Sequence, residues 1–417
     1  ITGSEWFIIS RKCSSMSEHF TPQNTDQIQD ALKWALAEGR SFDVFGQRSK
    51  QYYGRPGTAT DRLDLSALSG IGLYEPGELV MSAEAATPLA EIENTLANQR
   101  QRLAFEAPDW GPLLGTEHAG GGTIGGLFMC NMAGPRRILA GAARDHILGF
   151  HALSGRGEPF KSGGRVVKNV TGFDLSKLLT GSLGTLAIMT DVTFKVLPVP
   201  DKARTVLVLG DNGEKAVAAL TLALQSPFEV SGAAYVPAEI AALSDVSYVS
   251  GAGAGVAAIR LEGPGPSVEF RTGKLRHMLA DFGQTEELHS MNSATLWREI
   301  RDVSYFTGGD DQVWRLSVPP TEGPGVAERL TEATGGKVFF DWGGGLIWLA
   351  MKPSPDAAHE GVRAAIGGGG GHATPRRNER TRFCRGTRAA SSPHDSPCGW
   401  TSYPCRHRFL PHRHRST

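Results

Sequence analysis

The sequence predicts an α+β fold in two domains, followed by an appendage outside both, and three observations carry this. Residues 21 to 199 alternate short apolar runs of strand length with amphipathic helical runs and glycine-rich loops. Pro198 and Pro200 punctuate the end of a long apolar run, Thr185 to Leu197, and place the domain boundary there. Beyond it a β-α-β rhythm occurs twice, which suggests an antiparallel sheet with helices on one face.

In the first domain Asn24 or Thr25 caps a helix whose Ile28, Ala31, Leu32, Ala35 and Leu36 fall on one face, and Gly39 stops it. A strand, Phe42 to Phe45, runs straight into Gly46-Gln47-Arg48-Ser49-Lys50. Leu79 to Ala85 reads as a strand, Thr87 with Pro88 opens a helix through about Gln99, and Leu103 to Phe105 returns as a strand. In the second domain the expected strands are Thr205 to Leu209, Val256 to Leu261, Val313 to Val318, Val338 to Asp341 and Leu346 to Ala350. The expected helices are Glu214 to Leu224, Val268 to Asp281, Gly325 to Thr334 and Pro355 to Ile366.

The chain has 417 residues with 43 basic and 43 acidic side chains, but the balance is uneven along it. The 46 residues from His372 to Thr417 hold ten Arg and no Lys against Glu379 and Asp395, leaving 33 basic and 41 acidic in the rest. An acidic body argues against a generally nucleic-acid-binding chain. No stretch approaches the ~20 apolar residues needed to cross a bilayer. Only Cys13 and Cys130 lie outside the tail, which fits a reducing, cytoplasmic compartment without a disulfide framework. Residues 1 to 15, ahead of Met16, are read as an N-terminal extension.

The tail, residues 367 to 417, opens on the run Gly367 to Gly371 and then lacks apolar periodicity. Gaps of thirteen and six residues between Cys384, Cys398 and Cys405 do not supply zinc-ligand spacing. An Arg-rich arm for nucleic acid is a second reading. The bias to Arg, Pro, Ser, His and Cys favours a third, translation in a shifted frame, with a tail that is disordered or foreign to the fold.

Three segments concentrate glycine with hydroxyl residues: FGQRSK (Phe45 to Lys50), GGGTIGG (Gly120 to Gly126) and TGFDLSKLLTGSLGTL (Thr171 to Leu186). A diphosphate needs backbone N–H groups within reach, which favours residues without Cβ. A helix from Thr123 or Ile124 through Met132 would add its N-terminal dipole. Gly120-x-Gly122-x-x-Gly125 formally matches the dinucleotide fingerprint, but DWGPLLGTEHA precedes it and no strand does.

These loops in this order, ending in VVKNVTGFDLSKLLTGSLGTLAIMTDVTFKVLP, resemble the PCMH-type FAD-binding domain of the vanillyl-alcohol-oxidase superfamily. The stretches NMAGPRR, ARDHILG, LWREIRDV, VWRLSVPP and DWGGGLIWL are similar to the FAD-binding E-subunit family of bacterial glycolate oxidases, over about residues 20 to 366. The resemblance implies a two-subdomain FAD-binding domain over 16–199 and an α+β cap domain with an antiparallel sheet over 200–366. It implies non-covalent FAD. Gly46, Gln47, Arg48, Ser49 and Lys50 would hold the pyrophosphate, and Gly122, Thr123, Gly125 and Gly126 would approach the flavin and its phosphates. Gly172, Asp174, Gly181, Ser182, Gly184, Thr185 and Ile188 would line the rest, with a helix cap as the alternative role for Asp174. Arg48 stands where the family has a glycine or another small residue, and it would either crowd the pyrophosphate or pair with it.

The implied partners are a paralogous flavoprotein subunit and an iron–sulfur subunit, and the implied substrate is a small 2-hydroxy acid. Oxidising one needs a cation for the carboxylate and a base. The HGDGN-type metal-binding motif of the family's catalytic subunits does not occur, and His118, His146, His151, His277, His289 and His359 stand singly. Arg315, and Arg136 or Arg137, are the best cations for a carboxylate. A C-terminal segment of the FDPxGILNPGR type is also missing. Two roles stay open: a subunit that oxidises glycolate itself, or an assembly or electron-relay subunit without its own turnover.

Overall fold

The computed structural model describes residues 17–54, 57–59, 61–116, 120–165, 173–354, 356–367 and 371–376. Three larger sheets and one two-stranded pair organise them. The first is parallel and small, with Asp61–Asp64 between His19–Phe20 and Phe42–Phe45. The expected first helix, Thr25–Glu38, covers it. Asn24 accepts the Gln27 N–H at 3.0 Å to open the helix, and Gly39 closes it at φ 65°, a conformation only glycine takes without strain. Its Ile28, Ala31, Leu32 and Ala35 pack with Leu63, Leu65, Leu68, Ala86, Leu153 and Ile188. Burying each of the larger aliphatic chains contributes about 1.5–3 kcal/mol.

The second sheet is antiparallel, in the order Ile71–Glu75, Val80–Glu84, Ala187–Lys195, Ile147–Ser154, Pro159–Gly163. The apolar run ending at Leu197 supplies its central strand, paired on both sides. Helix Leu89–Ala97 follows as expected, but Leu103 to Phe105 is not a strand. The strand is Gln101–Arg102, paired with Leu197–Pro198, while Phe105 enters the core and its carbonyl accepts the Gly134 N–H.

The third sheet has eight antiparallel strands, in the order Thr285–Leu288, Lys202–Leu209, Val256–Gly263, Val230–Val236, Lys337–Asp341, Leu346–Met351, Gln312–Ser317, His372–Arg376. Helices Gly213–Gln225, Gly265–Met278, Gly323–Thr334 and His359–Ile366 cover one face. Helix Ser290–Asp302 and the core of the N-terminal half cover the other, so the expectation of helices on one face is corrected to both faces being filled. That is why these strands are apolar runs instead of alternating ones.

Two features lay outside the sequence reading. Val230–Val236 is a wholly buried central strand, hidden by its Ser-Gly-Ala-Ala content, which has low strand propensity. Gly232 is required there because the Trp297 ring lies 2.8 Å from where its Cβ would be. The sheet also extends past Ile366: His372–Arg376 pairs in register with Gln312–Ser317, and the Pro375 carbonyl accepts the Gly54 N–H at 3.2 Å. The rest of the tail lies outside the described residues. No helix among the described residues is long and apolar enough to cross a membrane.

Candidate functional site

The first two glycine loops interlock. The strand Phe42–Phe45 delivers Gly46 against Thr123, whose Cγ2 lies 2.9 Å from where a Gly46 Cβ would be. Gly122, at φ 83°, leaves no room for a Cβ, which would fall on Ser49 Oγ with Lys50 Nζ 2.8 Å away. The second loop is stitched to the end of Val80–Glu84 and the turn after it: Gly125 donates to the Ala85 carbonyl at 2.8 Å, Ile124 to Thr87 at 3.0 Å, and Leu89 to Gly122 at 2.8 Å. The helix that follows is Ile124–Met129, shorter than the expected run to Met132. Thr123 caps it by accepting the Gly126 N–H at 3.3 Å, so a long helix dipole is not available here.

Lys50 runs between the loops. Its ammonium donates to the Gly121 carbonyl at 3.0 Å and to Ser49 Oγ at 3.2 Å. Burial lowers its pKa, partly opposed by Cys130 and Asp109. A half-buried cation held by neutral acceptors fits an anionic ligand. Gln47 is half-buried. Arg48 is engaged by its own strand. Its backbone is left-handed, φ 55°, which accounts for a small residue being usual there, and its guanidinium turns back onto Asp43 at 2.8 Å and the Phe45 ring.

The third loop attaches to the far end of the same helix. Gly181, at φ 90°, donates to the Phe128 carbonyl at 3.1 Å, Leu183 donates to Met129 at 2.8 Å, and Ser182 Oγ lies 3.6 Å from Met129 Sδ. Thr185 Oγ1 donates to the Ser182 carbonyl, and Gly184, at φ 75°, has open space on its Cβ side. Ile188 is core, so only its backbone remains for a ligand. Asp174 caps helix Leu175–Leu179 through the Lys177 N–H and pairs with Lys177 Nζ at 3.1 Å. Gly172 lies outside the described residues. Residues 121–131 thus touch both other loops. A cradle of glycines around a half-buried ammonium fits the FAD pyrophosphate, and FAD would supply a hydride acceptor.

Arg136 is spent on protein carboxylates: Glu262 at 2.8 and 3.0 Å and Glu106 at 3.1 Å. Arg260 forks onto Glu106 at 2.9 and 2.8 Å and lies over the Trp297 ring, while Arg102 holds Glu262 at 3.0 Å. Burial would raise the Glu106 and Glu262 carboxyls, but Arg260 and Arg136 outweigh it and hold both below their usual value. Sequence reasoning missed this network, although Arg260 and Glu262 inside the apolar strand AAIRLEG were a visible signal.

Beside the network, Asp341 is raised to about 7, chiefly by burial and also by Glu106, against the Trp342 N–H, Arg260 and Arg315. Its folded pKa exceeds its ordinary 3.8, so its stabilising contribution is complete below that value and is lost as pH rises through about 7. Asp341→Asn keeps an acceptor for the Trp342 N–H. It should raise the melting temperature at pH 8 by a few degrees, roughly 1 kcal/mol, and change little at pH 5, as measured by thermal unfolding at both pH values.

Arg315 projects toward the N-terminal half, since Val313 packs in the core shared with that half while Trp314 and Leu316 pack under the helices. Its cross-strand partner Trp348 meets Trp110 edge-on at 5.3 Å, and Trp110 stacks on Tyr53 just after the first loop. The histidines stay dispersed. His146 is buried against Phe105 and bonds the Ala140 carbonyl, His151 pairs with Asp191 at the surface, and His118 is outside the described residues.

Fold and loops define a flavoprotein class, and comparison with known proteins agrees. Residues 18–163 match the family model for an FAD binding domain. The chain is 32% identical to glycolate oxidase subunit GlcE of Escherichia coli, covering 83% of this chain and 85% of that protein. It is 33% identical to glycolate oxidase subunit GlcD of Bacillus subtilis over 28% of this chain and 24% of that one. The structure of p-cresol methylhydroxylase with substrate bound shares the fold, with a TM-score of 0.63 at 14% identity over 85% of this chain and 79% of that one. The chain belongs to the GlcE-type glycolate oxidase subunits of the FAD-linked oxidoreductases, as the glycine-loop motifs implied.

Proposed function

We propose that this chain is the FAD-binding subunit of a heteromeric glycolate oxidase or dehydrogenase that converts a small 2-hydroxy acid, glycolate, to glyoxylate. Its electrons pass to an iron–sulfur subunit, and a paralogous flavoprotein subunit completes the complex, in the cytoplasm or at the inner face of the membrane. The observation that carries the reading is the convergence of three glycine loops on residues 121–131, with the Lys50 ammonium between the first two.

In this reading residues 16–199 form the FAD domain and 200–366, with the added strand 372–376, the cap. FAD is held without a covalent bond: Gly46 to Lys50 and Gly122 to Gly126 take the pyrophosphate, and Gly181 to Thr185 extend the cleft. A second role is favoured by Arg136, which is saturated by Glu106 and Glu262, and by the lack of an HGDGN motif: an assembly or relay subunit whose partner performs turnover.

The purified chain mixed with FAD is expected to show a flavin spectrum that survives gel filtration and is released by acid precipitation. Bleaching by glycolate alone supports its own turnover, and bleaching only with the partner subunits supports the relay role. A colourless protein overturns the cofactor assignment.

A further inference from the structure

The second glycine loop opens on three successive residues in the left-handed region: Gly120, Gly121 and Gly122 have φ of 118°, 75° and 83°. Glycine loses more conformational freedom on ordering than any other residue, so such a run keeps one shape only where its polar groups are held. Three bonds hold it. The Gly120 N–H donates to Asp109 Oδ2 at 2.8 Å, the Gly121 carbonyl accepts from Lys50 Nζ at 3.0 Å, and the Gly122 carbonyl accepts the Leu89 N–H at 2.8 Å. Two of the three come from side chains of opposite charge that grip consecutive residues. Charge-assisted bonds are the stronger class.

Asp109 is itself fixed from elsewhere. Its Oδ1 accepts the Gly111 N–H at 3.0 Å, which closes a turn on its own backbone, and its N–H donates to Asp302 Oδ1 at 2.9 Å. Asp302 ends the helix Ser290–Asp302 and is held in turn by the Arg301 guanidinium at 2.8 and 2.7 Å. The next residue, Trp110, donates its indole N–H to the Arg301 carbonyl at 3.2 Å. The carboxylate is therefore aimed at the loop before any cofactor arrives.

Charge adds to this geometry. Burial lowers the Lys50 pKa, and Cys130 and Asp109 oppose the shift. The other charged groups around Asp109 are Arg301, Asp302 and Glu93, whose carboxyl is raised by burial and further by Asp302 and Asp109, against Arg301. A Lys50 that lost its proton would no longer attract an anionic ligand.

We propose that Asp109 is a positioning residue for the cofactor: it fixes the three-glycine turn from its N–H side and keeps the Lys50 ammonium, which fixes the turn from its carbonyl side, charged for an incoming diphosphate. This rests on the FAD-binding reading of the loops. Asp109 touches the loop, and its effect on the cofactor runs through Gly120 and Lys50.

The full chain, freed of flavin, is titrated with FAD by quenching of flavin fluorescence from about pH 6 to about pH 10. Each variant is made with Cys130 and with Cys130→Ser, so that a thiol titrating beside Lys50 is told apart from the ammonium. Wild-type affinity is expected to fall as pH rises through the lowered Lys50 value, and Lys50→Met should bind weakly with no such fall. Asp109→Asn keeps the length of the side chain and loses its charge. It should bind FAD about tenfold more weakly and move the midpoint of the fall down by about one pH unit. Asp109→Glu keeps the charge but sets it one methylene off the Gly120 N–H, so affinity should fall about tenfold with the midpoint in place. It carries the test if the Asn variant folds poorly. Asp201→Asn, at an exposed pair with Arg100, should change neither quantity. A merely structural role would weaken binding equally at every pH, so an unmoved midpoint in Asp109→Asn overturns the proposal. So does FAD affinity within twofold of wild type in either Asp109 variant. Wild type that takes up no FAD at any pH overturns the cofactor reading and this role together, whereas wild type that binds FAD with a flat profile overturns this role alone.

Discussion

Replacing Arg260 by Met should cost about 3–5 kcal/mol and lower the melting temperature by on the order of 10 °C. Arg260 is 3% exposed and forks onto Glu106, donates to the Ser231 hydroxyl and carbonyl, and packs on Trp297. Met would fill much of the volume but leave Glu106 and Glu262 buried with only Arg136 and Arg102 to balance them. The network joins residues 102, 106 and 136 of the N-terminal half to 260 and 262 of the eight-stranded sheet, so the loss falls on the contact between them. Adding Glu106→Gln to Arg260→Met should cost much less than the sum of the two single changes, because the second removes the charge the first stranded. Both carboxylates titrate below the ordinary 4.5, so their stabilising contribution is complete above that pH and is lost as pH falls through the depressed values. In the Arg260→Met protein that acid-side loss should be smaller. Additive single-variant effects in thermal unfolding would show that the network is a set of independent contacts.

The local grammar of the sequence reached the fold well where one residue type forces one geometry. Asn24 and Gly39 bracket the first helix, and the strand Phe42–Phe45 runs into its glycine loop, as read from spacing alone. The glycine loops were legible because a missing Cβ is needed wherever two backbones must meet, as Gly125 does Ala85. What stayed hidden depends on partners distant in sequence. Gly232 and its alanines gave no strand signal, because the reason for glycine there is the ring of Trp297, 65 residues on. Arg136 and Arg137 are neighbours with equal claims in the sequence. Only the fold separates them, sending one into a buried ion network and the other over Trp342. Likewise the composition of residues 372 to 376 gave no reason to expect an edge strand, since pairing with Gln312–Ser317 supplies the hydrogen bonds that propensity does not.

Gly125 and Gly126, adjacent in the second loop, should separate what the fold needs from what the cofactor needs. A Cβ on Gly125 would meet Ala85 Cβ and carbonyl oxygen at 2.7 Å and its Cα at 3.0 Å, so backbone would have to move. Gly125→Ala should therefore cost about 1–3 kcal/mol through overpacking and strain the Gly125 N–H bond to Ala85. Gly126 is different. Its Cβ would lie 3.2 Å from Thr123 Oγ1 and 4.0 Å from Lys50 Nζ, with no backbone in the way, and alanine gains up to about 1 kcal/mol over glycine inside a helix. Gly126→Ala should melt at or slightly above the wild-type temperature without cofactor. Its methyl points at the space in front of the Lys50 ammonium, so FAD affinity should fall by roughly tenfold or more, read by quenching of flavin fluorescence on titration. A stable Gly126→Ala protein that binds FAD like wild type would remove the second glycine loop from the cofactor site, and would leave its glycines explained by Ala85 and Ser49 alone.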